Sequence, residues 1–209
     1  MNHFAYYALK CEGGDFASCN PVEGCSFAGG GAFTFGMDFY WSGQTGILFQ
    51  QEGRVCCRIR DDEVHWESTN WEVSTSALTM PLIADSWNHI DVVYEEKRVL
   101  LYLNGIQAAE AALSGQAQVC STKYCFLVDY TGYLRNVRIV DHSMTQEEIA
   151  GNLLENKIKQ ENLWLWLPFD APYAQDRGKY QKKVSYPGLC RCESLVTALC
   201  FSGKGYALL

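Results

Sequence analysis

Ser86-Trp87-Asn88-His89-Ile90-Asp91-Val92-Val93-Tyr94, a polar break at Glu95-Glu96-Lys97-Arg98, and then Val99-Leu100-Leu101-Tyr102-Leu103-Asn104-Gly105 is the stretch that decides the fold. Val92-Val93-Tyr94 and Val99 to Leu103 are nearly continuous apolar runs, the pattern of short strands covered on both faces. Glu96-Lys97 supplies the turn between them. Asn104-Gly105 supplies the next, because both residues tolerate the positive φ of a type I′ hairpin. Working outward, residues 32–41, 46–51, 54–61, 63–69, 124–130 and 133–140 repeat the two-residue period. They are separated by Gly43-Gln44-Thr45-Gly46, Glu52-Gly53 and Thr131-Gly132. Strands at this spacing predict an all-β, two-sheet antiparallel jelly-roll sandwich. One short helix breaks the pattern at 146–157. Thr145-Gln146-Glu147-Glu148 forms a capping box, and Ile149, Leu153 and Leu154 follow at helical spacing, an apolar stripe for a sheet edge.

At 209 residues, with 48% hydrophobic, 20% charged and 13% aromatic residues, the chain is long enough to bury a sizeable core. The net charge of −7 and the absence of a basic stripe argue against a nucleic-acid partner. No run approaches the ~20 apolar residues of a membrane span. The opening Met1-Asn2-His3-Phe4 lacks a basic n-region, so no signal peptide is read there. The ten cysteines have no CxxC pair and are read mostly as small buried hydrophobes, with disulfides left open. A structural metal on Cys11, Cys19 and Cys25 is the alternative.

The quoted stretch resembles the W-x-H…Y-(apolar)-N-G signature of laminin-G-like domains, in the concanavalin A-like lectin-glucanase jelly-roll family. Gly132-Tyr133-Leu134-Arg135-Asn136-Val137-Arg138-Ile139 is similar to that family's G-x-(apolar)-D/N-x-V-R-(apolar) strand, and Asp141 to Ile149 to the short helix after it. The resemblance implies that Trp87 fills the core and that Val137-Arg138-Ile139 is a strand carrying one exposed charge. His89 would be structural. An extracellular or cell-surface setting is also implied.

Phe27-Ala28-Gly29-Gly30-Gly31 matches Phe201-Ser202-Gly203-Lys204-Gly205, and each follows an aromatic strand, residues 4–9 or 163–169. One sandwich over 1–209 is expected, with 163–209 contributing closing strands that neighbour residues 4–9. The start of a second repeat is the other reading. Relatives often hold calcium in loop oxygens. Here Asp170 and Asp176 resemble the opening F-D…D-x-x-G pattern, with Asp15 and Glu12 a second possibility.

Function is the open matter. Glycoside hydrolysis needs two facing carboxylates, and no Glu-x-Asp-x-x-Glu strand is present. A degenerate hydrolase is therefore disfavoured, and a non-enzymatic recognition module is expected. Its partner would be a glycan, or a protein ligand if the domain has no sugar site. For a glycan site the candidates are Trp66 and Trp71 as stacking platforms, with Tyr40, Trp41, His65, Glu67 and Asn70 around them. These combine aromatic faces with groups that read hydroxyls.

Overall fold

In the computed structural model the described residues are 7–12, 14–27, 31–68, 78–113, 120–155, 158–170 and 175–194. The strands are β1 (Tyr7–Lys10), β2 (Ala17–Cys19), β3 (Phe33–Trp41), β4 (Gly46–Gln51), β5 (Val55–Arg60), β6 (Glu63–Ser68), β7 (Leu78–Pro81) and β8 (Ser86–Tyr94). They continue with β9 (Arg98–Leu103), β10 (Ile106–Ala112), β11 (Tyr124–Val128), β12 (Tyr133–Val140), β13 (Leu163–Leu167), β14 (Val184–Ser185) and β15 (Arg191–Ser194). One helix, α1 (Gln146–Glu155), follows β12.

Among the described residues, the first sheet runs β10-β9-β8-β3-β12-β1-β15, and β13 pairs with β12 beside β1. The second runs β14-β2-β11-β4-β5-β6-β7. All pairings within both sheets are antiparallel. This is the two-sheet sandwich that the period-two runs imply.

Alternation along each strand fills the space between the sheets. Phe33, Phe35, Met37, Phe39 and Trp41 of β3 point inward against Phe49, Cys57 and Trp66 of the second sheet. Phe27 sits amid this packing, with ring centroids of Phe33, Phe35, Phe49, Trp66, Tyr94 and Tyr124 within 6.0 Å. The Trp66 indole donates to the Tyr94 hydroxyl at 3.0 Å, a polar link between the sheets inside the core.

A smaller apolar cluster forms on the outer face of the first sheet. Val93, Leu100, Tyr102, Val140 and Leu163 meet Met144 and Ile149 there. The helix thus lies over a face of the sheet, rather than along an edge as its stripe suggested. This explains why β9 is apolar on both sides, and β8 at its Val93 end. The capping box forms: the Thr145 amide donates to Glu148 Oε2 (2.8 Å) and the Glu148 amide to Thr145 Oγ1 (3.2 Å).

Two residues depart from the roles their motifs implied. Trp87 has the parity of His89 and Asp91 and stands on the outer face, not in the core. Arg138 is buried, 1% exposed, and pairs with Asp91. In the tail, Leu163–Leu167 pairs with β12 and Arg191–Ser194 with β1, while residues 195–209 lie outside the described ones. The matching glycine turns, at 28–30 and 201–205, also lie outside them. A Cys11–Cys190 disulfide ties the end of β1 to the loop before β15, which removes Cys11 from any metal site. Burial pushes the thiols of Cys19 and Cys25 up to about 12, so they stay protonated and are poor thiolate ligands.

Candidate ligand-binding face

The outer face of the first sheet, beyond the area covered by α1, carries side chains ordered in rows by strand register. In the first row Trp87 of β8 is opposite Tyr40 of β3, and Tyr40 is opposite Tyr133 of β12. Lys10 of β1 leans over the Tyr133 ring at 5.7 Å, and Lys10 is paired with Arg191 of β15. The Tyr40 ring meets Trp87 at 5.9 Å and Tyr133 at 6.5 Å, edge-on in both cases. All three aromatics are partly exposed. At ~4.8 Å between strands the row spans about 10 Å from β8 to β12.

Two residues along, His89 is opposite Asp38, and Asp38 is opposite Arg135. The Arg135 guanidinium lies 4.1 Å from the centre of the Trp87 ring and reaches Asp38 Oδ2 at 3.4 Å. One carboxylate thereby holds the cation that covers the indole. Asn136 Nδ2 also reaches Asp38 Oδ2, at 3.5 Å, and the Trp166 indole donates to Asn136 Oδ1 at 3.1 Å.

A third row explains a glycine. Gly36 is opposite Asp91 on one side and Arg138 on the other. A Cβ there would lie 2.4 Å from Asp91 Oδ1 and 3.1 Å from Arg138 Cζ. Without it, Arg138 Nη2 reaches Asp91 Oδ1 at 2.9 Å across the empty position. His89 bridges the second and third rows, with Nδ1 on Asp38 Oδ1 and Nε2 on Asp91 Oδ2 (2.7 Å).

Burial alone would lower the His89 pKa, and Arg138 acts in the same direction. Asp91 and Asp38 outweigh both and hold it up at about 9. Burial would raise the two carboxyls, but His89 and Arg138 keep both below their ordinary value. The imidazolium therefore donates from both nitrogens. Its 2.9 Å approach to Arg138 Nη2 is a meeting of two donors, tolerated because both converge on Asp91. Arg138 Nε and Nη1 have no hydrogen-bond partner, so charge more than hydrogen bonding holds this guanidinium.

The charges beside the aromatic row are also paired internally. Lys10 meets Glu12 at 2.6 Å and Arg191 meets Glu193 at 2.5 Å, with Lys10–Glu193 at 3.9 Å. Arg135 leans on Asp38, which His89 already balances. The cations Lys10, Arg135, Arg191, His89 and Arg138 thus outnumber the carboxylates Glu12, Glu193, Asp38 and Asp91 by one, and the face offers oriented donors and acceptors with only a small positive excess.

The residues singled out from sequence are scattered by comparison. Trp66 is wholly buried, so it cannot be a platform. Trp41 is 4% exposed, and its indole donates to the Gln44 carbonyl at 2.9 Å. His65 is buried with Nε2 3.2 Å from the Arg60 carbonyl, and Glu67 pairs with Arg58 at 3.2 Å on the second sheet. Trp71 and Asn70 lie outside the described residues. Tyr40 alone falls in the row. Trp87, Tyr133 and Arg135 were missed, and strand parity relative to Tyr40 is the signal that could have found them.

The acids assigned to calcium do not converge. Asp170 is exposed and pairs with Arg177 at 2.7 Å. Asp176 is buried and accepts the amides of Trp166 (2.9 Å), Gly178 (2.7 Å) and Lys182 (2.6 Å). Its oxygens organise the loop after β13 by satisfying buried backbone donors. In the other pairing, Asp15 accepts the Leu189 amide at 2.8 Å and Glu12 is taken by Lys10. No group of three or more His, Cys, Asp or Glu side chains among the described residues is placed to hold a metal ion.

The profile of the concanavalin A-like lectin/glucanases superfamily matches residues 22–150. The chain belongs to that superfamily. A search of curated proteins finds no match to it. Among solved structures, a candidate carbohydrate-binding protein from Bacteroides ovatus ATCC 8483 superposes with a TM-score of 0.70 at 15% identity, over 91% of this chain and 60% of that one. The SAP-like pentraxin of Limulus polyphemus gives 0.52 at 12% identity, over 73% and 84%. The binding domain of botulinum neurotoxin serotype D gives 0.56 at 12%, over 77% and 45%. This superfamily member thus spans less than two thirds of the Bacteroides and toxin chains, and at these identities the likeness is one of fold. Among the described residues no helix is long and apolar enough to cross a membrane.

Proposed function

We propose that this superfamily member is a non-catalytic recognition domain that binds a neutral glycan on the outer face of its first sheet. The carrying observation is the cross-strand row Trp87–Tyr40–Tyr133, three partly exposed aromatics side by side on rigid strands. Sugar rings offer C–H faces to aromatic rings and hydroxyls to polar groups. Ligand sites generally combine such apolar surface with a few fixed polar groups. Arg135, Lys10, Arg191 and their carboxylate partners supply the polar groups. The pairing of Lys10 with Glu12 and of Arg191 with Glu193 leaves one cation in excess, too small a field to select an acidic ligand over an uncharged one. The superfamily and the Bacteroides structure support a binding reading. Glu193, which accepts from the Tyr133 hydroxyl at 3.4 Å, is held by Arg191, and Asp38 and Asp91 are committed to His89 and arginine, which argues against glycosidic acid–base chemistry. An extracellular or cell-surface setting fits this role.

Screening the protein on a glycan array, with and without calcium, tests the reading. Binding of neutral saccharides that is insensitive to chelator and absent from Trp87→Ala supports it. Binding only to sulfated or sialylated glycans, or turnover of any bound polysaccharide, contradicts it.

A further inference from the structure

A cavity lies away from the aromatic row, between α1 and the turn before β13. Its volume is ≈ 480 Å³, and its walls include His142, Glu147, Glu148 and Asn152, with Met144 and Ile158 as apolar surface. Asn152 is 7% exposed, and its Oδ1 is buried with no hydrogen-bond donor. A buried carbonyl without a donor is costly, so the cleft holds an unmet demand for one.

The carboxylates make the same demand. His142 lies between two of them, Nδ1 2.9 Å from Asp141 Oδ1 and Nε2 3.7 Å from Glu148 Oε1. Glu148 spends Oε2 on the Thr145 amide and keeps Oε1. Glu147 adds a second carboxylate. The cation at the rim, Lys159, turns toward Glu161 at 4.0 Å. Acceptors converge, then, on a space with apolar surface on one side. The amino end of α1 opposes a cation with about half a charge, and two carboxylates outweigh it. An inorganic ion is disfavoured, because no three candidate ligands have metal-binding placement among the described residues.

We infer that this cleft binds a primary alkylammonium group, its N–H donors meeting Asn152 Oδ1 and the glutamates and its carbon chain lying on Met144 and Ile158. The group would come from a free amine or from a lysine side chain of a partner. The inference is independent of the glycan face.

The test is a titration of the ¹⁵N-labelled full chain at neutral pH with n-butylammonium chloride, followed by NMR. n-Butanol, sodium butyrate and calcium chloride are run in parallel. The expected result is saturable shifts of the Asn152 side-chain amide and the Gly151 amide at millimolar amine, with at least tenfold weaker effects from butanol and butyrate. Glu147→Gln, an exposed change, should weaken the amine at least threefold while the rest of the spectrum stays superimposable. Putrescine tighter than Nα-acetyl-lysine methylamide identifies a free amine as the source, and the reverse order a lysine side chain. Unsaturable shifts, equal response to butanol, the same shifts with calcium, or full affinity in Glu147→Gln would overturn the inference.

Discussion

Asp38, Asp91, His89 and Arg138 place two formal positive and two negative charges on one sheet face, mostly out of water. Such a cluster stabilises little in net terms, yet breaking it is expensive, ~3–5 kcal/mol for loss of one partner. Its pH dependence has a definite sign. His89 rises from 6.5 to about 9 in the fold, so its contribution is complete below pH 6.5 and is lost as pH climbs through 9. Asp38 and Asp91 are held below 3.8, so theirs is present above that value and is lost on acidification. The melting temperature should therefore fall between pH 6.5 and 9, and that slope should largely vanish in His89→Gln. A wild-type midpoint flat across that interval would contradict the protonated bridge. Gly36→Ala probes the same cluster sterically. Its Cβ would sit 2.4 Å from Asp91 Oδ1, and overpacking of this kind costs ~1–3 kcal/mol. In a chain this long that is about 2–4 °C per kcal/mol in a thermal melt. No drop would mean that the cluster is looser than the distances indicate.

At the scale of elements, the strongly patterned strands were legible and the weakly patterned ones were not. β8, β9 and the turn between β9 and β10 could be read because Val, Leu and Tyr alternate tightly and Asn104-Gly105 adopts positive φ at both residues, 50° and 80°. β10 was missed because Ile106-Gln107-Ala108-Ala109-Glu110-Ala111-Ala112 is composed mostly of helix formers. It is a strand only because that hairpin pins it to β9. Parity could be read along each strand, but which parity faced the core could not be read for β8, since α1 and the charge cluster bury its outer side too. The resemblance put Trp87 in the core and that ambiguity left nothing to correct it, while Trp66 on β6 was read as a platform; each has the other's place. α1 itself was plain from its capping box. Removing the cap hydroxyl in Thr145→Ala should cost ~1 kcal/mol, visible as a lower urea midpoint with an unchanged m-value. An unchanged midpoint would show that packing of Ile149 alone fixes the helix.

For the molecule as a whole, both ends of the described chain return to the first sheet. β1 lies between β12 and β15, and Cys11–Cys190 closes the pair over 179 residues of sequence. A crosslink between such distant positions restricts the unfolded chain strongly, and the double change Cys11→Ser with Cys190→Ser should cost ~2–5 kcal/mol. Equal denaturation midpoints for the reduced and oxidised protein would contradict that role. β13 covers the part of the β12 edge that β1 leaves open, with Leu165 and Leu167 in the core. Truncation after Lys159 should therefore expose an edge and aggregate. The same strands fix the relative positions of β8, β3 and β12, and so the spacing of the aromatic row. The account's central claim is that this row is the binding face. Its most direct measurement is calorimetric titration of the preferred neutral glycan into wild type, Trp87→Ala and Trp71→Ala. The account predicts at least a tenfold weaker Kd for Trp87→Ala, about 1.4 kcal/mol, and an affinity within twofold of wild type for Trp71→Ala. Full affinity in Trp87→Ala with binding lost in Trp71→Ala would contradict it.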